Sequence, residues 1–170
     1  SSDVCSSDLD QLSGLTSTEL GALTVTTQLS GLRSTQIGSL TSTQLTGLTS
    51  TELGALTVTT QLSGLTSTQI SSLTTTQLTG LTSTELGALT VTTQLSGLTS
   101  TQISSLTSTQ ATGLTSTEVS SLTTTQFTAL TSTEIIGLTT TAVSGLSSTR
   151  VGSLTTTQEA GLTSTQISSL

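Results

Sequence analysis

The chain has 170 residues, of which 6% are charged, and a formal net charge of -7. Ser and Thr make up nearly half of it, Pro, Trp, Tyr, Met, His and Lys are absent, and Phe127 is the only aromatic. No imidazole base, Ser–His pair, His ligand set or Schiff-base lysine can be built from these residues, and the bias is that of a repeat array rather than an ordinary enzyme domain.

Ser1–Leu9 reads SSDVCSSDL and matches no later part of the chain. It resembles the translation of a common sequencing-adapter oligonucleotide, and residues of that origin are set apart from fold reasoning. Gln11-Leu12-Ser13-Gly14 reads as the tail of a repeat unit whose front has been overwritten. The other reading of residues 1–9 is a divergent cap. On the first, Cys5 is foreign; on either, a single Cys supports neither a disulfide nor a metal site.

From Leu15 the chain divides into eight-residue units of the form Leu-Thr-(Ser/Thr)-Thr-(Gln/Glu)-(Leu/Ile)-x-(Gly/Ser/Ala). Each unit is named here by its leading leucine. The Leu23, Leu56 and Leu89 units carry one extra residue and a valine, Val25, Val58 and Val91. Four units, one of them long, thus form a higher repeat, and its copies at 15–47, 48–80 and 81–113 are nearly identical. Such periodicity is the mark of a stacked array spanning residues 10–170, truncated at both ends.

One continuous helix is excluded. Eight residues at about 100° each overshoot two turns by about 80°, so the leucine stripe winds around the helix and faces no partner. Recurrent Thr and Gly add to the cost. Short capped turns fit better. In most units a Thr follows the leading Leu, and Gln or Glu stands three residues beyond it, the capping-box spacing. The leading Leu and the Leu or Ile after the Gln then form the hydrophobic staple. Leu15, Thr16, Glu19 and Leu20 are one such set, and Leu65, Thr66, Gln69 and Ile70 another. Gly47, Gly80 and Gly113 stand where a left-handed helix stop belongs. A lone helix this short does not persist in water, so stacking must hold it. The expectation is an all-α repeat solenoid of short capped helical turns. The alternative is a β-solenoid, because Thr-x-Thr recurs and Thr favours strands.

Several units depart from the pattern. Arg33 replaces the capping Thr, and Ala142 and Arg150 replace the Gln. Gln28, Gln61 and Gln94 come one place late, which calls for a different cap geometry. Ala111 leaves a smaller side chain in an apolar slot, and Glu159 puts a charge in the same slot, which predicts fraying nearby.

Glu19, Glu52, Glu85 and Glu118 recur once in every four units. They read either as a cation-binding ladder on one face or as simple substitutes for Gln at the third helical position, where a carboxylate also suits the helix dipole. The second reading is preferred, since one carboxylate per higher repeat is too sparse for a calcium cage. The Thr rows read either as a flat hydroxyl surface of the ice-binding kind or as caps. Caps are preferred, because they also account for the Gln. No catalytic, cofactor-binding or metal site is expected.

Units such as LTSTQISS, LTTTQLTG and LTSTELGA resemble the Leu-Thr-x-x-Gln octapeptide arrays of very large repetitive bacterial surface proteins, adhesin-like or haem-utilisation-like. The resemblance covers residues 10–170. It implies a structural spacer or stalk in a secreted or cell-surface, adhesin-like protein, and the adapter reading of residues 1–9 implies a fragment of an assembled environmental sequence. It does not carry a haem over, because no His, Met or Tyr is present as an axial ligand. The expected partners are neighbouring repeats and a cell-surface or glycan ligand. A Thr-face module for ice or glycan is the alternative role. Arg33 and Arg150, the only basic residues, give no footprint for nucleic acid or anionic lipid. No apolar run approaches the roughly 20 residues of a membrane span.

Overall fold

The computed structural model describes residues 11–170, and the expectation for Ser1–Leu9 lies outside them. Every unit from Leu15 onward contains one short helix, and no strand occurs among the described residues. The all-α solenoid is the observed fold, and the β-solenoid alternative is overturned. The extended stretch that a strand would need is confined to the leading Leu and its Thr, because the Gln side chain closes the chain into a turn directly afterwards.

The Leu73 unit shows how six residues fix this. Thr74 is extended, with φ -74° and ψ 156°. Its hydroxyl accepts from the Gln77 N–H, and Gln77 Oε1 accepts from the Thr74 N–H at 2.9 Å and its hydroxyl at 3.1 Å. The helix Thr75–Leu78 follows, and Leu81 N–H donates to Leu78 O before the next unit begins. The same box recurs along the chain, for example at Thr41 and Gln44 and at Thr163 and Gln166.

The extra residue of the longer units is absorbed by a wider turn. In an ordinary unit Leu20 N–H donates to Thr16 O, four residues back. In the Leu23 unit Leu29 N–H donates to Thr24 O and Ser30 N–H to Val25 O, each five residues back, and a 3₁₀ turn follows at Leu29–Gly31. The late Gln still reaches its Thr: Gln61 Oε1 accepts from the Thr57 N–H at 3.0 Å.

Each unit packs against the unit three places on. The Leu15 unit packs on the Leu40 unit, the Leu48 unit on the Leu73 unit, the Leu106 unit on the Leu130 unit, and that one on the Leu154 unit. Three units therefore make one turn, giving three sides around a central core. The four-unit sequence repeat is not the structural turn. It places successive copies one side further round.

Both apolar positions of each unit point into the core. The second one is covered by the turn that follows, and the leading Leu by the turn before. In the first turn Leu20, Leu29 and Ile37 are fully buried, while Leu15, Leu23 and Leu32 are only partly so. In the last turn Ile167 and Glu159 are exposed. The fraying expected around Glu159 is absent: helix Thr156–Gly161 is intact and fully boxed. Glu159 stands in a slot with no described turn above it, so its charge meets solvent. Ala111 is fully buried. No described helix is long and apolar enough to cross a membrane.

The glycines do not serve as left-handed stops. No described residue, glycine included, has positive φ. What Gly47, Gly80 and Gly113 provide is room. A Cβ on Gly80 would lie 1.8 Å from Ser50 O, on the unit three places before, and one on Gly47 would lie 1.8 Å from Ser17 O. The turns meet backbone to backbone at these points.

Candidate functional site

The recurring polar feature of the interior is a glutamine joint between turns. Gln77 Oε1 is taken by its own cap, which leaves the amide nitrogen. That nitrogen donates to Leu45 O and Leu48 O of the turn beneath, both at 2.7 Å. Gln44 does the same to Leu12 O and Leu15 O, both at 2.8 Å, and Gln166 to Ile135 O and Leu138 O, both at 2.7 Å. The late Gln61 and Gln94 reach the equivalent carbonyls, so the extra residue leaves the joint unchanged. Each Gln from Gln44 onward thus caps its own turn and fastens it to the turn below. These amides are buried, and no buried side-chain N or O among the described residues lacks a partner.

The sequence pattern points to the first half of this joint and not to the second. The partner carbonyls lie 29 and 32 residues earlier, or 28 and 31 beyond the last long unit, and any residue can supply a carbonyl. The only available signal was that Gln outnumbers Glu at a position where a carboxylate would cap equally well.

The exceptional units show what the joint demands. Arg150, in the Gln place, donates from Nη2 to Leu122 O, and its guanidinium lies 4.8 Å from the centre of the Phe127 ring. A donor on a longer side chain thus restores one of the two bonds. Ala142 is buried and keeps only the Thr139 cap, whose hydroxyl accepts from the Ala142 N–H at 3.1 Å. Arg33 cannot accept as a cap. Gln36 still reaches back to its N–H at 2.8 Å, and helix Ser34–Ser39 forms.

The Glu residues do not form a ladder on one face. Spacing of four units is one unit more than a turn, so Glu19, Glu52, Glu85 and Glu118 step around the solenoid. Glu19 is exposed, and its Thr16 backbone N–H, then the Thr16 hydroxyl, hold its carboxyl below the ordinary value. Glu118 is buried and displaced the other way, because desolvation outweighs the same pair of donors on Thr115. No group of three or more acidic, His or Cys side chains that could hold a metal exists among the described residues.

The outer surface is hydroxyl and methyl. Thr51, Thr76 and Thr101 stand at equivalent places on successive turns, outside the core. The hydroxyl after the second apolar residue is occupied locally: Thr79 Oγ1 donates to Thr76 O and Thr46 Oγ1 to Thr43 O, both at 2.7 Å. An open depression at the first described turn is lined by Leu15, Leu23, Leu32, Gln28 and Gln36, the core residues and amides of that end. No family model matches the chain, and neither a curated protein nor a solved structure is detectably similar to it.

Proposed function

We propose that this chain is a length-setting segment, a spacer or stalk, of a large secreted or cell-surface adhesin-like protein of bacterial origin. The observation that carries this reading is the constancy of the joint. Wherever a Gln stands above a described turn, from Gln44 to Gln166, its amide reaches two carbonyls of the turn beneath, across long and short units. An array built this way extends by adding units, each contacting only its neighbours, and its stability grows with nearest-neighbour terms. Its exposed surface is hydroxyl-rich and weakly acidic, which suits a passive rod. The resemblance of the octapeptide units to bacterial surface arrays supplies the setting.

Small-angle scattering on arrays of increasing unit number tests the mechanical reading. A maximum dimension that rises linearly with unit number supports a rod, and one that levels off rejects it. Recovery of the flanking coding sequence tests the setting, with a secretion leader and a surface anchor as the expected finds. A glycan ligand remains a proposal for the outer Thr rows. Ice binding through them predicts thermal hysteresis of the purified array, which a spacer lacks.

A further inference from the structure

The glutamine joints are not spread evenly along the chain. Each unit rests on the unit three places before it, so parting the chain between two consecutive units breaks the joints of the three units that follow. Between Ala88 and Leu89 these are the joints of Gln94, Gln102 and Gln110, six bonds in all. Between Ser121 and Leu122 only the two bonds of Gln126 cross. Between Ala129 and Leu130 a single bond crosses, from Arg150 to Leu122 O. Between Gly145 and Leu146 the number is five again, from Arg150, Gln158 and Gln166. The minimum arises because three consecutive units depart from Gln. Glu134 caps through Oε2, which accepts from the Thr131 N–H and hydroxyl, both at 2.6 Å, and a carboxylate has no N–H for the carbonyls beneath. Ala142 has no polar side chain, and Arg150 restores one bond of two.

We propose that the boundary between Ala129 and Leu130 is a breakaway seam, the plane at which the solenoid opens first while the turns beneath it stay stacked. Every described backbone–backbone bond outside the helices closes within its own unit or onto the next, so parting two turns leaves the backbone bonding intact. Only the joints and the apolar packing hold turn to turn. The packing does not make up for the missing joints. The second apolar residues of the three units beneath the boundary are Ala111, Val119 and Phe127, all fully buried. Two are smaller than the Leu or Ile of other units, and one is larger. The turns still touch: a Cβ on Gly137 would lie 2.2 Å from Ser108 O. Repeat arrays are stabilised unit by unit through neighbour contacts, so the weakest boundary sets where they open. As a yielding point in a stalk the seam rests on the spacer reading; the seam itself does not.

The test is the rate at which a buried thiol meets a disulfide reagent in native buffer, in the full chain with Cys5→Ser. Val119→Cys reports the seam and Ile70→Cys a well-jointed turn; both positions have 0% exposure. The easiest opening that uncovers Val119 breaks one joint bond, and the easiest that uncovers Ile70 breaks four, those of Gln94 with those of Gln77 or Gln102. One net hydrogen bond changes an equilibrium about fivefold, so three change it about a hundredfold. With each rate divided by that of the same variant in urea, Val119→Cys is expected to react about a hundredfold faster than Ile70→Cys. The larger truncation at Ile70 works against this result. Adding E134Q, a change that conserves volume, supplies two joint bonds at the seam. It is expected to slow Val119→Cys about twentyfold and leave Ile70→Cys unchanged, with far-UV circular dichroism confirming that each variant is folded. Equal rates at the two thiols overturn the proposal, and so does a Val119→Cys rate that E134Q does not move. Equal rates beside a linear scattering series reject the seam and keep the spacer. Unequal rates beside a series that levels off do the reverse.

Discussion

Replacing Gly80 with Ala places a methyl group 1.8 Å from Ser50 O, 2.5 Å from Ser50 C and 2.9 Å from Ser50 Cα. All three are backbone atoms of the turn beneath, so no side chain can swing aside. Ordinary contact begins near 3.4 Å, so the turns must part at this point until the methyl clears that oxygen. A rigid parting of that size carries the two 2.7 Å bonds from Gln77 beyond hydrogen-bonding distance. Two net bonds at about 1 kcal/mol each are lost, and residual overpacking adds about 1–3 kcal/mol. The expected destabilisation is therefore about 3–5 kcal/mol, read by urea unfolding followed by far-UV circular dichroism. Gly152→Ala is the control. A Cβ there meets only carbonyl oxygens of its own helix, at 3.4 and 3.8 Å, and the backbone is not left-handed. That substitution is neutral or stabilises by about 0.4–1 kcal/mol. Gly80→Asn separates close approach from the left-handed stop: Asn tolerates left-handed backbone, yet carries a Cβ. It is expected to be at least as damaging as Ala. Equal effects at Gly152 and Gly80, or rescue by Asn, would refute the reasoning.

Gln77→Leu removes both inter-turn bonds and the reciprocal half of the Thr74 cap, with an expected loss of about 2–4 kcal/mol. Gln28→Leu, in the first described turn, forfeits only its cap and costs about 1 kcal/mol in the same unfolding assay. Arg150→Ala removes the bond to Leu122 O and the contact with the Phe127 ring, for about 1–2 kcal/mol, and Arg150→Lys recovers part of that. Carboxyl titration by NMR is expected to place Glu19 below the ordinary range and Glu118 above it. Their contributions to stability then run oppositely: Glu19's is lost as pH falls through its depressed value, and Glu118's is lost as pH rises through its raised one.

What the sequence reveals of this fold is what is decided within six residues. The Thr–Gln box and the Leu pair that staples it are local, so Thr66, Gln69, Leu65 and Ile70 declare both the helix and its inward face. The number of units per turn is not local. It depends on the angle between consecutive units, which no residue type encodes, and the four-unit duplication suggests a repeat that the backbone does not follow. Gly80 misleads for a related reason: its position after a helix fits a left-handed stop, whereas its cause is Ser50 O, on the turn beneath. The second role of Gln77 is hidden in the same way, because its partners are carbonyls common to every residue. Glu159 is misjudged because its slot is open in the last described turn.

Three units per turn can be measured directly by the distance between spin labels on paired cysteines, introduced in a Cys5→Ser background. Thr76 and Thr101 stand three units apart at equivalent places outside the core, and Thr76 and Thr109 stand four apart. Stacking by threes predicts a short, narrow separation for the 76/101 pair and a clearly longer one for 76/109. A shorter 76/109 separation would mean that the chain closes every four units, and the glutamine joint between turns would not exist.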